Sequence, residues 1–508
     1  MRRTPPALAA AGALVAAVMV LPLGYLFLRA ADADDPLGLV GSDRARRLIT
    51  NTLSLGLATT ALAVVVGVGL AWLVERTDLP ARRALGLAAT LPLVVPTYVG
   101  ALALKAAFGP AGLVGEVPGL LGFPGAVAAL GLSTYPYVLL LARAALADAD
   151  PALEEAARSL GDRGPAVARR VVLPVVRPAM AAGGLLVFLY VLSDFGAVSI
   201  LQVDTVTRGI FLEYRSLTAD RSPAAVLGVV LVALTLAAIG AERVLRGRAA
   251  PARAVAGFAP HRPVRLGRWR WPAAAAVVAV VVAGIGVPVA VVVYWAAVGS
   301  SRGAAGDVLA SAATTSLGLS AAAAVVAVVA AVPVAVLAVR HRSRLSRAVE
   351  TLSVSGFALP GLVIGLSLVF FAARYLTPLY QTVTLIVVAY VIRFLPEALG
   401  SVRSSLVQVD PAMEEAARSL GRRPLAVAAT VTLPLVRRGL LAGAALVFLT
   451  AMKELPATLL LRPPGVDTLA VRVWTGAAEG LYAQAAPPAL LILAVSALVL
   501  WPLRSAGR

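Results

Sequence analysis

Covalent chemistry needs a nucleophile, a base or metal ligands within reach of one another, and these 508 residues offer few. There is no cysteine, which excludes disulfide staples and thiolate metal sites. The only histidines, His261 and His341, lie in basic loops without metal-ligand spacing. The only lysines, Lys105 and Lys453, do not follow a glycine, so no phosphate-cradling loop is present. No Gly-x-Ser-x-Gly elbow stands near a plausible base. No residue is therefore assigned a catalytic or metal-binding role, and no cofactor is expected on this chain. The remaining polar chemistry falls in two places. One is a charged stretch, DPALEEAARSLG at 150–161, which returns as DPAMEEAARSLG at 410–421. The other is a set of groups inside apolar runs: Asp194, Arg393, Glu397, Lys453 and Glu454, with Tyr135 and Tyr137. Charge is costly in lipid, so each of these is a functional candidate.

The repeated stretch reads as a short amphipathic helix. Asp150 is a good N-cap and Pro151 suits the first helical position. Glu154 and Glu155 complement the positive dipole end, and Glu154 pairs with Arg158 at i,i+4. Gly161 can take the left-handed stop conformation. Leu153, Ala156, Ala157 and Leu160 form one narrow apolar stripe, repeated as Met413, Ala416, Ala417 and Leu420. A lone helix of this kind would lie flat on headgroups. Two near-identical copies in a chain whose spans have diverged imply a partner that is itself duplicated.

The surrounding sequence is 60% hydrophobic and 14% charged, with a mean hydropathy of +0.88. That composition predicts an all-α, polytopic membrane protein embedded in the lipid bilayer. Twelve apolar segments are expected to span, near 8–29, 51–74, 86–107, 125–147, 179–201, 223–244, 271–297, 311–339, 350–373, 381–402, 439–461 and 486–503. The first is read as an uncleaved helix, because its apolar run is longer than a signal core and its flank is a poor cleavage site. The net charge of +19 sits in short arginine clusters between spans, which argues for cytoplasmic loops rather than nucleic acid. Arg2 and Arg3, Arg76, Arg82 and Arg83, the linker arginines, RHRSRLSR at 340–347, and Arg504 and Arg508 all fall on one side. Both termini and both charged stretches are thus expected in the cytoplasm.

An offset of about 260 residues also aligns VFLYVLSDFGAVSIL (187–201) with VFLTAMKELPATLLL (447–461). Six spans separate each span from its counterpart, so the halves are parallel. The expected organisation is a first half at 1–245, a basic linker at 246–270 and a second half at 271–508. The intramembrane groups are unequal between halves: Asp194 meets Lys453-Glu454, and Ser133 and Tyr137 meet Arg393 and Glu397. They either line a passage or lock the bundle, and sequence leaves both open.

Glu155-Ala156-Ala157, then Gly161, Val171 and Leu173-Pro174, resembles the EAA loop of ABC importer permeases. So does Glu415-Ala416-Ala417 with Gly421, Val431 and Leu433-Pro434, valine replacing isoleucine in both. Each half, with its EAA loop at 149–178 or 409–438, is similar to a type I importer permease of MetI-like fold. The resemblance implies a cytoplasmic ATPase dimer that docks on the two short helices and uses the ATP, and an extracytoplasmic solute-binding protein. It is closest to the ferric iron permeases in LPLVVPTYVGALAL (91–104), PLYQTVTLIVVAYVIRFLPEAL (378–399) and the stretch 453–491. Carboxylates suit ferric iron, but they equally suit cationic thiamine; a polyamine, phosphonate or sulfate stays open, as does a twelve-span secondary transporter without an ATPase.

Overall fold

In lipid every backbone N–H and C=O must be satisfied within its own segment, so runs of Ala, Val and Leu fold as helices. A computed structural model describes residues 5–110, 112–216, 221–246, 263–301 and 306–505. Among these the elements are all helices, joined by turns and loops, and the β pairing is one isolated bridge, Thr77 to Val264. Arg2, Arg3, Arg508 and residues 247–262, with His261, lie outside the described residues.

Ten helices are long and apolar enough to span. They are Pro6–Ala31, Asp43–Arg76, Phe123–Ala147, Ala168–Ser193, Ser222–Glu242, Gly267–Gly299, Gly306–Arg340, Val383–Val407, Pro424–Met452 and Tyr482–Val499. The other two of the twelve expected apolar segments, the third span of each half, are broken rather than continuous helices. In the first half, Arg82–Val94 and Thr97–Phe108 are bent by 89°. In the second, Arg344–Val354 and a tight turn precede Gly361–Tyr375, which has only 15 residues. Pro96 and Pro360 cause the breaks, because the residue before a proline is driven out of the helical region. Val95 and Leu359 are both extended.

The fifth spans also differ from their expected extent. Both start earlier, through a π turn at Ala168–Val172 or Ala428–Thr432. Pro174 and Pro434 lack the N–H that would continue the i to i−4 ladder, which accounts for the widened turn just before them. Both helices also stop earlier, at Ser193 and Met452, and short helices Gly196–Ile200 and Pro456–Leu461 follow. Residues 179–201 and 439–461 are therefore not continuous spans.

The repeat halves interleave. Gly12 of the first span packs on Leu337 and Val349 of the second half, and Tyr25 meets Phe371 edge-on at 5.3 Å. Reciprocally, Gly284 lies on Pro92, and Trp295 Nε1 donates to the Ala106 carbonyl at 3.2 Å. Each half's first span thus embraces the third span of the other. Within each half, the fifth span presses on the fourth through a glycine: Gly183 on the Cα of Val138, and Gly443 on the Cα of Ala398.

Candidate functional site

The two charged stretches form matching helices, Pro151–Ser159 and Pro411–Ser419. Asp150 and Asp410 accept from the N–H of Ala152 and Ala412, each at 2.9 Å. Gly161 and Gly421 take φ of +95° and +80°, the left-handed stop expected of them. Leu160 and Leu420 are 88% and 82% exposed, and Leu153, Ala156, Met413 and Ala416 are exposed beside them. Ala157 is half-buried and Ala417 buried. Most of the apolar stripe therefore faces away from the bundle. Glu155 and Glu415 are exposed as well.

The anchor is the neighbouring carboxylate. Glu154 is buried and accepts from Arg76 Nη1 at 2.6 Å and Arg158 Nη2 at 3.0 Å. Arg76, the last residue of the second span, also donates to the Leu146 carbonyl at 2.8 Å. In the second half Arg340 donates to Glu414 at 3.4 Å and to the Val409 carbonyl at 2.8 Å. Thr432 and Arg418 complete that set, at 3.0 and 3.3 Å from Glu414. Each short helix is thereby tied to the second and fourth spans, and a push on it reaches the bundle through a buried ion pair.

The second cluster lies where the four helix breaks meet. Asp194 does not sit mid-helix; it follows the fifth span and caps the short helix after it, accepting from the N–H of Ala197 at 2.9 Å. Its second oxygen accepts from Thr97 Oγ1 at 2.6 Å, at the start of the broken third span. Glu454 caps the equivalent helix, accepting from the N–H of Ala457 at 3.2 Å. Its partner is Arg393, at 3.0 Å. The room for that guanidinium comes from Gly361, which holds the place of Thr97: a Cβ there would collide with Arg393 and Glu454. Asp194 and Glu454 are 8% and 5% exposed.

Arg393 does not pair with Glu397 at i,i+4; Glu397 instead accepts from Thr450 Oγ1 at 3.0 Å. Tyr135 is fully buried and donates to the Ala89 carbonyl at 2.9 Å, holding the fourth span to the first half's bent segment. Tyr137 packs on Tyr190, with ring centroids 6.2 Å apart. Both lysines cross between halves to helix ends rich in free carbonyls. Lys453 Nζ donates to Val94 O at 3.1 Å, and Lys105 Nζ to Ala477 O at 3.0 Å.

One end of this centre is sealed. Phe195, Phe211 and Trp474 stack with centroids 4.8–5.8 Å apart, and Leu455 packs over Gly196. Trp474 Nε1 also donates to Ser199 Oγ across the halves at 2.6 Å. Toward the short charged helices, side chains regain accessible surface: Tyr190 (38%), Leu186 (36%), Leu446 (39%) and Leu140 (44%). Tyr137, Glu397 and Thr450 are half-buried in the same zone.

Residues 63–250 and 323–504 each match the family described as a binding-protein-dependent transport system inner membrane component. The chain belongs to that family. It is 34% identical to the Fe(3+)-transport system permease protein FbpB 2 of Haemophilus influenzae, over 97% of this chain and 96% of that one. It is 28% identical to the probable ABC transporter permease protein y4fN of Sinorhizobium fredii, over 88% of this chain and 85% of that one. A probable molybdenum ABC transporter permease protein of Haloferax volcanii matches 43% of this chain with 82% of its own length, at 31% identity. A single-half relative thus fits one repeat of this permease. Membership makes the chain a multi-span inner-membrane transport subunit, not an enzyme, that works with an ATPase and a solute-binding protein.

Several residues of this permease that the structure brings into play were not singled out by sequence reasoning. Arg76 and Arg340 read as loop charges, although their identical place at the end of each second span was a usable signal. Thr97, Tyr190 and Thr450 carry no charge and gave none.

Proposed function

We propose that this permease forms the translocation path of an ATP-driven importer that passes ferric iron to the cytoplasm. The beginning of the first span, residues 263–270 and both short helices share one end of the bundle, and the arginine bias makes that end cytoplasmic. A cytoplasmic ATPase dimer docks there, one subunit on Leu153, Ala156 and Leu160, the other on Met413, Ala416 and Leu420. The solute-binding protein docks at the opposite end, above the aromatic seal.

The observation that carries the ferric reading is the near full-length match to a permease named for Fe(3+) transport. The centre agrees with it chemically. Oxygen donors, Tyr137, Glu397 and Thr450, are half-buried at this centre, and Arg393 and Lys453 beside them bond to Glu454 and to backbone carbonyls.

The test is reconstitution of the chain with its ATPase, followed by comparison of binding proteins loaded with ferric iron, thiamine or molybdate. ATP turnover and uptake stimulated by the iron-loaded protein alone is the expected result. Stimulation by another cargo alone overturns the ferric assignment, and ATP-independent uptake overturns the importer reading. A topology map should place Glu155 and Glu415 on one cytoplasmic face.

A further inference from the structure

The end of the linker returns to the bundle beside the anchor of the first short helix. The second span stops at Arg76, and Thr77 after it is extended, at φ −123° and ψ 166°. Carbonyls in the last turn of a helix have no partner within that helix. Here Val264 N–H donates to the Arg76 carbonyl at 2.8 Å, and Asp78 N–H donates to the Val264 carbonyl at 3.1 Å. Together they make the parallel bridge of Thr77 to Val264. Asp78 Oδ1 then accepts from Leu266 N–H at 2.8 Å. Pro263, Val264 and Arg265 are exposed, while Leu266 packs against the core. Arg76 thus carries two loads, Glu154 on its side chain and this segment on its backbone.

The segment leads directly into the span Gly267–Gly299 of the second half. That span lies on the broken third span of the first half, with Gly284 on Pro92 and Trp295 on the Ala106 carbonyl. The same broken span is held from its other side by Tyr135 of the fourth span, which donates to Ala89 O at 2.9 Å. Between these grips stand the Pro96 break and Thr97, the partner of Asp194.

We propose that residues 263–266 are a coupling strap, in which Asp78 and Val264 position the span Gly267–Gly299 against the ATPase-docking end of the first half. The inference rests on an ATPase subunit docking at Pro151–Ser159. When that helix is displaced, Arg76 follows Glu154 and the strap follows Arg76. Both grips on the third-span break then move together, where an unstrapped span would lag and dissipate the stroke.

The chain has no cysteine of its own, so Thr77→Cys with Val264→Cys can be cross-linked selectively. Paired residues of neighbouring strands stand about 5 Å apart, within disulfide reach. The readout is uptake per ATP hydrolysed in proteoliposomes containing the ATPase and a binding protein. The binding protein is the one that stimulates turnover, whether loaded with ferric iron, thiamine or molybdate. Asp78→Ala and Val264→Pro should each lower the ratio by about threefold or more, the weight of one lost hydrogen bond. Asp78→Asn keeps the acceptor and should match wild type. Oxidising the cysteine pair should preserve the ratio, and should restore it when Asp78→Ala is added. Melting temperature and retention of the ATPase should stay at wild-type values, which separates positioning from folding. An unchanged ratio in both Asp78→Ala and Val264→Pro, or loss of uptake on oxidation, overturns the strap and leaves the ATP-driven reading standing. Uptake by the wild type without ATP overturns ATPase docking and the strap together.

Discussion

The two halves face the same problem at their fifth-span breaks and answer it with different chemistry. In the first, Asp194 caps a short helix and is satisfied by the neutral hydroxyl of Thr97. In the second, Glu454 caps the equivalent helix, Gly361 replaces the threonine, and Arg393 fills the space. At the charged short helices the same residue types recur: Arg76 meets Glu154 and Arg340 meets Glu414, at 2.6 and 3.4 Å. Residue identity is kept at the short charged helices, and it diverges at the fifth-span breaks. The backbone breaks themselves are common to both halves, so symmetry lies in the fold and asymmetry in the side chains.

This contrast can be tested by substitutions of decreasing effect. Arg76→Met leaves buried Glu154 with only the half-exposed Arg158 and should cost about 3 kcal/mol. Arg340→Met should cost less, because its contact to Glu414 is longer and Thr432 also donates there. Thermal melting in detergent and co-purification of the ATPase would check both; equal effects would mean the halves are anchored alike.

Gly361→Ala should come next. Its methyl group displaces the Arg393–Glu454 pair and should destabilise by about 3 kcal/mol, with loss of uptake. Thr97→Val is expected to cost about 1 to 3 kcal/mol, because Asp194 loses one hydrogen bond but keeps its backbone donors. A melting shift larger for Thr97→Val than for Gly361→Ala would reverse the assignment of the stronger lock.

Lys453→Met and Lys105→Met each free carbonyls at a helix end of the other half. A cost of about 1 to 2 kcal/mol is expected for each, read as a lower melting temperature. The smallest effect belongs to Gly161→Ala and Gly421→Ala. Nothing lies within 4 Å of an added Cβ at either glycine, so only the left-handed backbone is strained. About 1 kcal/mol is expected from that strain, with equal partial uncoupling of ATP turnover from uptake in both halves. Unequal uncoupling would show that the two helices do not carry the same load.

Much of this was legible beforehand. The caps Asp150 and Asp410, the stops at Gly161 and Gly421 and the Glu154–Arg158 pair all follow from local helix rules, which need no tertiary information. Ten spans follow from hydropathy for the same reason. The breaks at Val95 and Leu359 were present as Val-Pro and Leu-Pro, but hydropathy averages across a bend. Helical spacing would equally have allowed Arg393 to meet Glu397, but Gly361, distant in sequence, leaves room for it at Glu454.

The sequence by itself determined the solvent, the repeat and the docking helices, because each depends on composition or on neighbours within one or two turns. Only the tertiary structure decided which charges lock and which remain open. A buried charge takes whichever partner the packing brings to it, and here those partners are Thr97, Arg393 and the carbonyls of the opposite half, up to 372 residues away.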